Sequence, residues 1–147
     1  MRERSDIETV GVVGAGTMGN GIAQVAATCG YDVVMRDIEQ QYIENGLEEI
    51  EFSLDRLVSS GALTQEKANG ARERITGTTE LSDIATVDLV VEAVIEEMPV
   101  KKEVFTELDR ITDSDIVLAT NTSTLSVTSI AAATDRPELV VGLHFMN

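Results

Sequence analysis

A glycine-rich turn, a strand-end carboxylate and a single imidazole carry most of the chemistry legible in this chain. The turn is Gly14-Ala15-Gly16-Thr17-Met18-Gly19. A lone G-x-G-x-x-G is a weak signal, because glycine-rich turns are common. Here a β-prone run at residues 8–13 precedes it and a helical pattern follows, inside a β-α-β unit of about 30 residues. In that setting Gly14 permits the tight turn, Gly16 lets a diphosphate approach the backbone, and Gly19 lets the helix pack closely on the sheet. The amides of residues such as Thr17 and Met18, at the positive end of the helix dipole, would then hold the diphosphate. Asp37 closes the next strand, about 20 residues downstream. A carboxylate there accepts the hydroxyls of an adenine ribose and repels a 2′-phosphate, which selects NAD over NADP. Arg36 beside it could accommodate a phosphate, but Asp37 holds the discriminating position.

Three further clusters fall at the ends of later strands. They are Val91-Glu92-Ala93-Val94-Ile95-Glu96 with Lys101 beyond it, Asn121-Thr122-Ser123, and Gly142-Leu143-His144-Phe145-Met146-Asn147. In a parallel sheet these ends converge on one edge. That would gather an ammonium, a hydroxyl, amides and the chain's one histidine near the far end of a bound dinucleotide. Each residue also has a plainer reading: Ser123 as a helix N-cap, Glu92 as a satisfied strand acid, Lys101 and Lys102 as a solvated helix face, and Cys29 as a buried thiol.

The elements that must position these groups follow from periodicity. Ile22, Ala23, Val25, Ala26 and Cys29 recur at helical spacing and Gly30 supplies a stop. A strand is expected at 31–36. From 39 to 59, Ile43, Leu47, Ile50, Leu54 and Leu57 alternate in steps of four and three, a long amphipathic helix. A helix at 64–74 turns back along it as a hairpin, with a short strand at 75–78. Residues 88–94 read as a strand covered on both faces. Pro99 opens a helix bearing Val100, Val104, Phe105, Leu108 and Ile111. Strands at 116–120 and 139–144 flank a short helix at 126–133. The sum is an α/β fold, a doubly wound parallel sheet of the Rossmann type with a helical hairpin after the second strand and order 3-2-1-4-5-6.

Composition narrows the partners. The 147 residues, 43% hydrophobic, suffice for one domain with a core, and no apolar run is long enough to span a bilayer. The basic start lacks an apolar segment after it, so a cytoplasmic location is expected rather than secretion. One cysteine excludes an internal disulfide framework and a cysteine-rich zinc site, and no metal is expected. Twenty-six acids against eleven bases give a net charge of −15, which repels nucleic acid and anionic membranes. Only Lys67, Lys101 and Lys102 are lysines. An evenly acidic, lysine-poor surface suits a salt-rich cytoplasm, since the Debye length shrinks to about 3 Å at 1 M salt. A halophilic source is therefore expected, with an ordinary acidic protein as the plain alternative.

The sequence resembles the NAD-binding domain of the 3-hydroxyacyl-CoA dehydrogenases of fatty-acid β-oxidation across essentially its whole length. The carrying motifs are Gly-Ala-Gly-Thr-Met-Gly-Asn-Gly-Ile-Ala-Gln-Val at 14–25, Val-Glu-Ala-Val-Ile-Glu at 91–96, Asn-Thr-Ser at 121–123 and Gly-Leu-His-Phe-Met-Asn at 142–147. The first is shared with other hydroxyacid dehydrogenases; the combination is far more specific.

The resemblance implies roles residue by residue. His144 falls on the catalytic base, Ser123 on the serine that contacts substrate hydroxyl and cofactor, and Asn147 on an asparagine that supports the site. Glu96 and Lys101 fall on residues lining the nicotinamide-ribose and substrate region, and the hairpin on a substrate-binding element. The chemistry is coherent: an imidazole takes the hydroxyl proton while NAD accepts hydride from the same carbon. The family's further features, a glutamate that orients the imidazole and a helical domain completing the acyl-CoA pocket and dimer interface, lie beyond residue 147. The chain is thus expected to be one NAD-binding domain, residues 1–147, slow or inactive without a homodimer mate or a separately encoded C-terminal domain. Coenzyme A would need local cations such as Arg56, Arg72 or Lys101. A non-catalytic NAD-binding module and a dehydrogenase for a non-CoA hydroxyacid are the alternatives.

Overall fold

The computed structural model describes residues 4–146. Strands β1 (Thr9–Val13), β2 (Asp32–Arg36), β3 (Ile75–Thr78), β4 (Leu89–Glu92), β5 (Val117–Thr120) and β6 (Val140–Gly142) form one sheet. All pairings are parallel and the order is β3-β2-β1-β4-β5-β6, as the alternation of strands and helices requires. The order reverses between β1 and β4. A crevice opens there at the carboxyl ends of the strands, the place where ligands bind in open α/β sheets.

Successive strand residues point to opposite faces, and both faces are covered. On one side Val10, Val12, Val33 and Met35 pack against α1 (Thr17–Thr28), α2 (Gln40–Ser59) and α3 (Gln65–Arg74). On the other, Val13, Val90 and Leu118 pack against α4 (Met98–Ile111) and α5 (Val127–Ala131). The two-sided burial is why the strands read as unbroken apolar runs. α3 brings only Ala68 and Ala71 into the core, so it is a thin brace behind α1 and α2.

The boundaries moved in two places that matter. The last strand ends at Gly142, so His144 stands in the segment after it rather than within a strand. Cys29 is exposed, not buried, because it lies at the end of α1 as its C-cap. Short 3-10 turns at Leu81–Ile84 and Pro137–Leu139, too brief for a periodic signal, link the larger elements.

The turn from α4 to β5 is fixed by Arg136. This arginine is 5% exposed. Its guanidinium pairs with Asp109 at 2.6 Å and donates to the carbonyls of Asp109, Thr112 and Asp113. A fixed cation there satisfies carbonyls that a helix end leaves open and complements the negative end of its dipole. Arg136→Ala would strand the nearly buried Asp109 and several carbonyls. The expected cost is about 3 kcal/mol, or on the order of 10 °C in Tm, read by thermal denaturation; a change within 2 °C or so would refute this role.

Candidate functional site

Three backbones converge at the first turn, and its glycines divide by what constrains them. Gly14 has φ +115°, and a Cβ there would come within 2.5 Å of the Ala93 carbonyl oxygen. A Cβ on Gly19 would lie 1.8 Å from the Gly14 oxygen. The fold itself forbids a side chain at both positions. Gly16 is different: a Cβ there would meet nothing within 4 Å. Packing does not explain this glycine, whereas a ligand drawn against the backbone does. Gly16 is also the N-cap of α1, so no side-chain oxygen from the cap competes for the first-turn amides of Thr17 and Met18, and no acid sits in that turn. The opening fits a diphosphate.

A groove of about 540 Å³ runs from this turn across the crevice, lined by Gly16, Asp37, Ile38, Tyr42, Val94 and Ile95 among others. Asp37 is held from both sides, its Oδ2 accepting from the Ala15 amide and its Oδ1 from the Ile38 amide, each at 2.7 Å. The carboxylate is thereby tied to the glycine turn and fixed at the wall of the groove. Arg36 also lines the groove, but its Nε donates to the Thr79 carbonyl, so it is anchored to the sheet's outer end. Ile38 and Ile95 are 67% and 60% exposed and line the same groove, an apolar surface suited to a flat ring.

The groove continues into a second cleft of about 330 Å³. The two share Ala93 and Val94, and the cleft adds Met18, Glu96, Asn121, Ser123 and His144. The sequence-predicted groups of three strand ends are thus brought to one place. The ladder runs past the strands here: Asn121 N donates to the Glu92 carbonyl and Leu143 N to the Thr120 carbonyl, both at 2.9 Å. Phe145 N then donates to Asn121 Oδ1 at 2.7 Å. His144 is therefore bracketed by hydrogen bonds on the residues either side of it. Asn147, the remaining predicted site residue, lies outside the described residues.

Lys101, like Thr17 and Gly19 of the first turn, lines neither the groove nor the cleft. Its side chain is fully buried and its ammonium lies 2.6 Å from Glu92 and 3.0 Å from Glu96. Burial pushes the Glu96 carboxyl up, but hydrogen bonds from Thr122 and Lys101, the Lys101 charge and a bond from Thr124 together hold it below its ordinary value. Sequence reading gave Glu92 no role beyond a satisfied strand acid, gave Thr122 none within its cluster, and passed over Thr120. A signal existed: Lys101, Phe105 and Leu108 share one buried helical stripe, and Glu92 is the lone charge in an apolar strand. A charge on each of two facing apolar surfaces implies a pair.

Of the cations considered for coenzyme A, Arg72 is engaged by Glu51 and Asp55. Arg56 lies over the exposed Phe52 ring on α2, 5.8 Å from its centre.

Comparison with known proteins agrees with this geometry. Residues 9–147 match the family described as 3-hydroxyacyl-CoA dehydrogenase, NAD binding domain. The chain is 45% identical to the 3-hydroxybutyryl-CoA dehydrogenase of Bradyrhizobium diazoefficiens, over 96% of this chain and 48% of that one. It is 47% identical to the enzyme of the same name from Mycobacterium tuberculosis, over 96% and 50%. The crystal structure of (S)-3-hydroxybutyryl-CoA dehydrogenase from Ralstonia eutropha superimposes with a TM-score of 0.94 at 42% identity, covering 97% of this chain and 50% of the other. The chain spans about half the length of the relatives it matches. A groove opening at the glycine turn, a parallel sheet in the reversing order and a family match over nearly every residue lead to one assignment: the chain belongs to the NAD-binding domain family of the 3-hydroxyacyl-CoA dehydrogenases.

Proposed function

We propose that this chain is the cofactor-binding and proton-accepting half of an NAD-dependent dehydrogenase that oxidises a 3-hydroxyacyl-CoA to the 3-oxoacyl-CoA, as in fatty-acid β-oxidation. The observation that carries the reading is the cleft in which Ser123, His144, Asn121 and Glu96 meet, continuous with the dinucleotide groove through Ala93 and Val94.

The roles are those the resemblance implies, and the geometry supports them where residues are described. First-turn amides of Gly16, Thr17 and Met18 bind the diphosphate, with Gly14 and Gly19 shaping the turn, and Asp37 binds the adenine ribose. Glu96 serves the nicotinamide-side ribose. NAD, when bound, supplies the hydride acceptor. Ser123 holds the substrate oxygen, and His144 takes the proton from the substrate hydroxyl. Asn121 positions His144 through the bond to the Phe145 amide, and the resemblance gives Asn147 a supporting role. No helix among the described residues is long and apolar enough to cross a membrane. We place the protein in the cytoplasm.

A helical partner, whether a C-terminal domain or a second chain, completes the substrate pocket in this reading. Beside the His144 segment, Val25, Cys29, Leu143 and Phe145 line an apolar recess of about 200 Å³. Val25 and Leu143 are 50% and 38% exposed. Apolar surface of this kind next to a reaction site suits a covering domain. The −15 charge gives no long-range attraction to coenzyme A, so the substrate relies on local cations, Arg56 among them.

Calorimetric titration tests the cofactor site. NAD binds, NADP binds at least about tenfold more weakly, and Asp37→Ala removes most of that preference; a preference for NADP would overturn the assignment. With 3-hydroxybutyryl-CoA as substrate and the helical partner supplied, His144→Ala lowers kcat by roughly 10²- to 10⁴-fold while NAD affinity stays within about twofold. Equal turnover of free 3-hydroxybutyrate would favour a non-CoA substrate, and NAD binding without turnover of either, partner present, a binding module. For the salt-adapted origin we propose, Tm should rise by about 5 °C or more between roughly 0.1 M and 1 M potassium chloride. A melt that is flat in salt would count against it.

A further inference from the structure

An asparagine carboxamide accepts at one end and donates at the other, and its partners decide which end points where. At Asn121 the choice is forced. The Phe145 amide can only donate, and it meets the side chain at 2.7 Å, so the end it meets is Oδ1. The base of the side chain is held as well, since the Asn121 N–H donates to the Glu92 carbonyl at 2.9 Å. With root and tip both fixed, Nδ2 and its N–H groups have a set direction. No acceptor among the described residues takes them. Every buried side-chain nitrogen and oxygen among those residues has a partner, so Nδ2 is open to solvent. Asn121 lines the cleft with Ser123 and His144, and a molecule bound there would supply the acceptor.

The other polar side chains of the cleft leave a task for such a donor. In the reading above, Ser123 and His144 are both committed to the reacting oxygen, and Glu96, a carboxylate, can only accept. A 3-hydroxyacyl thioester carries a further oxygen, the thioester carbonyl, on a carbon two positions from the one that is oxidised. That oxygen gains and loses no proton in the reaction, so it calls for a neutral donor that does not titrate. An amide N–H is such a donor. Its place is also right: Ser123 follows two residues later, and Phe145 adjoins His144, so one side chain is tied to both groups. A substrate gripped at one oxygen alone can swivel about it. A second contact along the chain fixes the direction in which the hydrogen of the reacting carbon points.

We propose that Asn121 is a substrate-binding residue whose Nδ2 donates to the thioester carbonyl, so that the cleft selects alcohols carrying a carbonyl two carbons away. The inference rests on Ser123 and His144 holding the reacting oxygen.

Reduction in the reverse direction, with NADH and the helical partner supplied, tests it on two substrates. One is acetoacetyl-CoA. The other is its thioether analogue, S-(3-oxobutyl)-CoA, in which a methylene replaces the thioester carbonyl. The readout is the ratio of their kcat/KM values, and only its change between proteins counts, because the intrinsic reactivities of the two ketones then cancel. Asn121→Asp keeps an oxygen for the Phe145 amide but offers no N–H, and it lowers the thioester-to-thioether ratio about tenfold. An unchanged ratio would overturn the inference, whether both rates fall together or neither does, since Asn121 then serves only the backbone. NAD affinity, read by calorimetry, stays within about twofold in the same variant. A loss of about tenfold there would overturn the inference too, by giving the amide to the cofactor. No reduction of acetoacetyl-CoA by the unsubstituted chain and its partner would sink the reading of the cleft and the inference with it. Should Asn121→Asp melt without cooperativity, Asn121→Ala replaces it: displacement of His144 slows both substrates alike, and the ratio must still fall about tenfold. A constant ratio there overturns the proposal.

Discussion

At the carboxyl end of β1, three stretches of backbone pass so close that no side chain fits between them. The space for a Cβ on Gly14 is taken by the Ala93 carbonyl, and the space for one on Gly19 by the Gly14 carbonyl. This contact joins β1, the start of α1 and the end of β4 into one rigid corner. The direction of α1, and with it the amides of its first turn, is set there. So is the spacing of the crevice between β1 and β4, where strand order reverses. The same corner holds Asp37, whose carboxylate is clamped by the Ala15 amide of the turn. The proposed diphosphate and ribose subsites are therefore parts of one geometry rather than two independent features.

Charge divides the molecule into a screened exterior and a few matched interior pairs. The acids that make up the net −15 are mostly exposed and spread over the surface. Inside, Glu92 meets Lys101, and Arg136 meets Asp109, each pair with further hydrogen bonds. Both interior pairs sit where an element ends, and each fixes a loop that would otherwise be free to move. Arg136 secures the α4–β5 turn, and Glu92 joins the end of β4 to the end of β5 and the first turn of α4. A charge taken out of water is costly unless fully paired. Such a group pins its surroundings to the one arrangement that pairs it.

The glycine turn, the helix stripes of α2 and α4, and the alternation that forces parallel strands were all legible in the order of residues. So was Asp37, because its place depends only on the distance along one β-α-β unit. The 39–59 helix kept its apolar stripe, with Ile43, Ile50 and Leu54 buried as spaced. Legibility failed where one residue's surroundings come from distant segments. Cys29 lies outside the core because α1 ends there. The last strand stops at Gly142 because pairing with β5 ends there.

What the sequence determined by itself was therefore local: turn chemistry, periodicity, strand direction and, through the resemblance it carries, the candidate groups at each strand end. Only the tertiary structure decided which of those groups face the cleft and which face each other. Lys101 and Glu96 stand five positions apart and look alike as polar residues at the mouth of a helix. Packing puts one ammonium under cover against Glu92 and leaves the other residue's carboxylate half in solvent. The physical reason is that burial belongs to the assembled sheet and helices, and no window of consecutive residues contains the partner across the strand.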